Sequence, residues 1–179
     1  MKIRIYSVAL AAMALLPRVS SSQQANPVAE AFRDYAKSSA KNLIAAAEAF
    51  PAEKYSYKPT PAQMSVGDIV VHLIQGNDYL CGTIGGMKAP DRSKVSGTDS
   101  KETLMARLRE TFTFCDQALA SLSDASLGEE LPFFGGRKMT RAAIMTLTTG
   151  DWADHYSQYA NYMRLNGLLP PTAKRQAAQ

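Results

Sequence analysis

The sequence predicts an all-α fold, a four-helix bundle, on three observations. Four long segments carry apolar residues at the helical spacing. Each is bounded by capping residues, prolines or glycines. Strand signals are nearly absent. A length of 179 residues suits one domain with a sizeable core. With 46% hydrophobic residues and two cysteines, the composition excludes a disordered chain and a disulfide-dense scaffold.

The chain opens with a segment that precedes the bundle. Met1–Ser22 has a basic start (MKIR), an apolar run over residues 5–16 and a small-residue stretch, VSSSQ. This is the order of a secretory signal peptide, and it predicts an exported protein, periplasmic or secreted after the signal is removed. The apolar run is shorter than the roughly 20 residues of a bilayer span, so no stable membrane span is expected. Val19 with Ser21, or Ser20 with Ser22, offers the small side chains that a signal peptidase needs, and no cysteine follows to take a lipid. The alternative is a buried first helix of a cytosolic protein; the charge asymmetry favours export.

Asn26-Pro27 opens the first helix as N-cap and N1 proline. The helix stops before Pro51, with Val28, Phe32, Tyr35, Leu43, Ala46, Ala47 and Phe50 as its stripe. After a proline-rich connection, Ser65 caps the second helix, with Asp68 at N3 as a capping-box variant. Its inner stripe is Val66, Ile69, Val70, Leu73, Asn77, Leu80 and Ile84, and Gly85-Gly86 ends it. Residues 87–99 form a polar loop. The third helix covers 101–122 through Leu104, Leu108, Phe112, Cys115, Leu119 and Leu122. A Gly- and Pro-marked connection, 123–139, leads to Thr140, the cap of the last helix. Asn166-Gly167, with Pro170-Pro171 beyond, stops that helix. The domain plan is a signal peptide over 1–22, the bundle over 23–171 and a polar tail over 172–179.

The formal charge of +4 bears on partners. Lys2, Arg4 and Arg18 lie in the export segment; without them 17 basic residues face 16 acidic ones, +1. Without Lys174 and Arg175 of the tail the balance is 15 against 16, −1. The remaining basic residues are interspersed with acids, as on a solvated surface. Nucleic-acid binding needs a clustered basic face, so no nucleic-acid partner is expected.

The last helix carries the chemistry. Ile144 and Leu147 start an inward stripe that continues in phase through Asp151, His155 and Gln158, flanked by Trp152, Tyr156, Tyr159 and Met163. Asp151 and His155, at i and i+4, share one face. A buried carboxylate there needs a partner. The one other histidine, His72, is in the second helix. If those two helices run antiparallel, all three side chains arrive at one level, forming a 2-His-1-carboxylate site for a divalent metal with positions open to water or substrate. The bland alternative is two histidines satisfied as ordinary polar groups.

The segments PAEKYSYKPTPAQMSVGDIVVHLIQGNDYLC and DWADHYSQYANYMRLNGLLPP resemble the DinB/YfiT-like superfamily, and the resemblance extends over roughly residues 27–171. It implies an up-down-down-up four-helix bundle. It also implies a divalent metal held by three histidines, one from the second helix and two spaced by four on the last. His72 matches the first of these and His155 the third; Asp151 stands where the family has histidine. A carboxylate still binds zinc, nickel, iron or manganese, but it shifts preference towards harder ions. Asp151 is read as a retained ligand, since carboxylates serve in open catalytic sites; the alternative is a degenerate site. Gln158 and Tyr156 also match the family pattern near the site. The implied parallel second and third helices bring Cys81 level with Cys115, so the two are expected to approach each other, and an oxidising compartment permits a bond.

The resemblance implies a metal-dependent hydrolase or a thiol-type transferase acting on a small-molecule substrate that the residues leave unspecified, as they do the catalytic residues. The competing reading is a non-catalytic binding protein, with room for a homodimer, on the same bundle.

Overall fold

Helix α1 spans Pro27–Ala49, and its start shows how distant residues complete a local signal. The computed structural model describes residues 26–177, without the side chains beyond 174, so the export segment expected over 1–22 lies outside the described residues. Pro27 takes the first turn as expected, yet Asn26 makes no side-chain cap. The carboxylate of Asp124 accepts from the backbone N–H groups of Val28 (3.1 Å) and Ala29 (2.8 Å) instead. Asn26 Oδ1 accepts from Asp124 N–H at 2.9 Å, so the two residues cap each other's segments. A negative group at this end also suits the helix dipole. Phe32, Leu43, Ala46, Ala47 and Phe50 are buried as expected, whereas Val28 and Tyr35 are exposed.

Helix α2 covers Val66–Gly85. Ser65 Oγ accepts from Asp68 N–H and Asp68 Oδ2 from Ser65 N–H, both at 3.1 Å, completing the capping box. Every residue of its expected stripe is buried, and Gly86, at φ 67°, takes the left-handed cap that ends it. Helix α3 runs Lys101–Leu119 behind a Ser100 cap; it stops short of Leu122, which is nonetheless buried.

Helix directions follow from who meets whom. Asn77 bonds Thr111 and Cys81 bonds Cys115, each pair 34 residues apart, so α2 and α3 are parallel. The Cys81–Cys115 disulfide brings their Cα atoms to 5.1 Å. Gly85 lies so close to the Ala118 carbonyl that a Cβ would collide with it. The last helix, α4 (Arg141–Leu165), meets α2 through Val66–Tyr159 near one end and Asn77–Trp152 further along; the α4 number falls as the α2 number rises, so that pair is antiparallel. The result is an up-down-down-up bundle.

The connection, the last helix and the tail also depart from expectation. Residues 123–139 hold a short antiparallel hairpin, β1 (Glu130–Pro132) with β2 (Lys138–Thr140), in register Glu130↔Thr140 and Leu131↔Met139. Strands of three residues carry no alternation to read, and Gly135 and Gly136 supply the positive φ of the turn. Within α4 the buried stripe runs Ile144, Thr148, Trp152, His155 and Tyr159, while Leu147 is exposed. Thr148 fits the core because its hydroxyl donates to the Ile144 carbonyl at 2.8 Å. Asp151 therefore sits on the flank of the stripe, half-buried. The residues expected as a polar tail begin in a short helix, α5 (Pro171–Ala177), tethered where Tyr156 Oη accepts from Thr172 N–H at 3.1 Å. No helix among the described residues is long and apolar enough to cross a membrane.

Candidate metal centre

The seam between α2 and α4 brings His72, Asp151 and His155 together. Antiparallel packing sets one turn of α2 against the Asp151–His155 turn of α4, the i, i+4 spacing placing both α4 side chains on the α2 side. Asp151 Oδ1 lies 3.3 Å from His72 Nε2 and 3.4 Å from His155 Nε2. The two imidazole centroids are 4.6 Å apart, their planes inclined by 60°. One donor atom from each residue falls within 4.8 Å of the others. Burial is graded across the site: His155 is buried, Asp151 half-buried and His72 half-exposed, with side-chain exposures of 6%, 24% and 49%. The group is open to solvent on the His72 side.

A chain of hydrogen bonds on α4 orients the buried ring. Gln158 Nε2 donates to Asp154 Oδ2 at 2.9 Å, which turns Gln158 Oε1 towards His155 Nδ1 at 3.3 Å. The Nδ1–H donates there, and Nε2 is directed at Asp151. This support of the far ring nitrogen is what histidine ligands require. Below the site, Trp152 Nε1 donates to Asn77 Oδ1 at 2.8 Å and Asn77 Nδ2 donates to Thr111 Oγ1 at 3.2 Å, so one buried amide ties α4 through α2 to α3. Trp152 is further held by the rings of Phe32 and Phe112, at 6.1 and 6.2 Å.

Charge follows geometry. Burial favours the neutral form of Asp151, but the hydrogen bonds and charges of His155 and His72 outweigh it and hold the carboxyl below its ordinary range. Burial likewise opposes charging of His155; the adjacent Asp151 and the Gln158 acceptor prevail and raise its pKa. With an acceptor at each ring nitrogen, a proton on Nε2 occupies the place a cation would take. Two imidazole nitrogens and a carboxylate oxygen converging in this way fit a divalent ion, as zinc, nickel, iron and manganese all accept nitrogen–oxygen ligand sets.

All three residues read from the sequence thus meet. Gln158 adjoins them, whereas Tyr156 turns to the opposite flank and serves α5. Sequence reasoning missed Asp154, although its i, i+4 relation to Gln158 was available on the same helix. It also missed the role of Asn77, whose signal was an amide inside an apolar stripe.

Comparison with known proteins bears on fold and family. A family model described as the DinB superfamily matches residues 36–159. The crystal structure of a DinB-like protein from Bacillus cereus superposes with a TM-score of 0.65 at 20% identity, covering 79% of this chain and 95% of that one. A DinB-like protein from Bacillus subtilis gives a TM-score of 0.62 at 21% identity, covering 76% and 92%. At such identities the likeness shows the fold. No curated protein matches the chain.

Proposed function

The chain belongs to the DinB superfamily, and from that premise we propose that it is an exported metalloprotein of hydrolase or thiol-transferase type, with His72, Asp151 and His155 as ligands. The observation that carries this reading is the convergence of those three donors on one half-open point, with His155 Nδ1 already engaged by Gln158. A bound divalent ion would supply Lewis acidity, lowering the pKa of a water or a substrate thiol. The residues' own parts are distinct. His155 is the fixed, buried donor; Asp151 neutralises charge; His72, on the solvent side, leaves the approach open. Asp151 in place of a third histidine makes the ligand set harder and favours manganese or iron more than an all-histidine site does. The Cys81–Cys115 disulfide supports export, because such bonds persist in oxidising compartments.

Reconstitution of the purified protein with each metal, followed by elemental analysis, tests the reading. The expected result is one ion per chain, lost in His155→Ala. Substoichiometric metal that His155→Ala leaves unchanged would favour a non-catalytic binding protein.

A further inference from the structure

The α2–α4 seam continues past the triad towards the hairpin, and its character changes along the way. Gly76 lies one turn beyond His72 on α2. A Cβ there would stand 3.7 Å from Asp151 Oδ2, so any longer side chain would reach over the carboxylate. Tyr79 follows, two turns from His72 and on nearly the same line of the helix, about 10 Å along its axis. Long helical side chains lean back over the preceding turn, which for Tyr79 is the turn of Gly76. Its ring is stacked on Phe134 of the hairpin, with centroids 3.9 Å apart and planes inclined by 24°. Phe133 braces Phe134 at 4.9 Å. The α2–α4 pairing that joins Asn77 with Trp152 and Val66 with Tyr159 puts Leu147 level with Tyr79 across the seam. Phe134 and Leu147 are 54% and 47% exposed. On its other side along α4 the triad meets the polar Gln158 and Asp154.

A metal centre with apolar surface on one side only has a preferred direction for whatever it binds. The geometry points to a substrate with a metal-binding head, such as a thiolate, carboxylate or hydroxyl, and an aromatic or alkyl body that lies over Gly76 against Tyr79, Phe134 and Leu147. Small-molecule sites commonly combine a few convergent polar groups with an apolar wall in this way. The inference rests on the metal reading above. Gly76 is its specificity-determining residue, since a side chain longer than a methyl would cover the passage between head and body.

Two hydroxamates serve as probes on the zinc-loaded protein: acetohydroxamate, a head alone, and 3-phenylpropionohydroxamate, the same head with an aromatic body. The expected result is that the phenyl compound binds at least about tenfold tighter, as burial of its apolar surface requires. Phe134→Ser, at an exposed position, abolishes that gain and leaves acetohydroxamate affinity and metal content unchanged. Gly76→Leu weakens the phenyl compound while zinc content stays stoichiometric. Equal affinity for the two probes on zinc-loaded protein, or a phenyl gain that survives Phe134→Ser, overturns the inference and leaves the metal reading standing. Failure to bind any of zinc, nickel, iron and manganese overturns both.

Discussion

The two flanks of α2 are built for opposite ends. Towards α3 it is sealed: parallel packing, glycine at the closest approach to the Ala118 carbonyl, and a disulfide. Towards α4 it is antiparallel, and the outer part of the contact is given over to two imidazoles and a carboxylate instead of apolar side chains. Asn77 touches both flanks, donating to Thr111 on one and accepting from Trp152 on the other. The difference teaches how a small bundle keeps a polar centre in place. One helix pair is locked, and its register is passed across a buried amide to the pair that carries the His72–Asp151–His155 group.

The sealed flank yields the largest expected effect. Replacing both cysteines by serine removes a link that closes a 34-residue separation, and chain entropy puts the loss at about 4 kcal/mol of unfolding free energy, measurable by urea denaturation. Next comes the amide that joins the flanks. Asn77→Ala leaves the buried Trp152 Nε1 without its acceptor and costs about 1–3 kcal/mol in the same measurement. It also weakens metal binding, because Trp152 neighbours Asp151. A stability loss with metal affinity untouched would show that the two flanks are independent.

The open flank has its own signature. Gln158→Leu removes the acceptor at His155 Nδ1, and metal affinity falls about 10- to 100-fold while unfolding of the metal-free protein changes little. Titration with metal at several pH values gives a smaller, graded effect. The pKa of His155 is raised, so its proton competes with metal to higher pH than that of an ordinary imidazole; Asp151 stays ionised throughout that range. Affinity therefore declines as pH falls through the raised His155 value. In the metal-free protein the sign reverses for His155. Its stabilising interaction is complete below the unfolded value of 6.5 and is lost as pH rises through the folded one. That of Asp151 is complete above 3.8 and is lost as pH falls through its depressed folded value. Metal-free stability from the triad is therefore greatest between those limits, where metal binding is already weakening.

Local chemistry explains which parts of this were legible beforehand. The Ser65–Asp68 box, the Thr140 cap and the Gly86 terminus lie within a few residues of what they cap, so they read directly. The true cap of α1 does not, because Asp124 lies 96 residues from Val28. The hairpin is invisible for a similar reason, since three-residue strands are defined by their pairing alone. The α4 stripe was misphased at Leu147, because hydropathy prefers leucine to threonine, whereas Thr148 satisfies its hydroxyl within the helix and takes the core position. The triad itself was legible as three residues at compatible levels. Its orientation was not, because that depends on the Asp154–Gln158–His155 bonds and on burial graded across the seam.

The central claim is that the open flank is a metal site held by His72, Asp151 and His155. Anomalous diffraction from crystals grown with one equivalent of manganese or zinc tests it most directly. The account predicts a single peak on the α2–α4 seam, about 2.0–2.2 Å from one nitrogen of each imidazole and from an Asp151 oxygen. A peak elsewhere on the protein, or none at full occupancy of the crystal with protein, would contradict it.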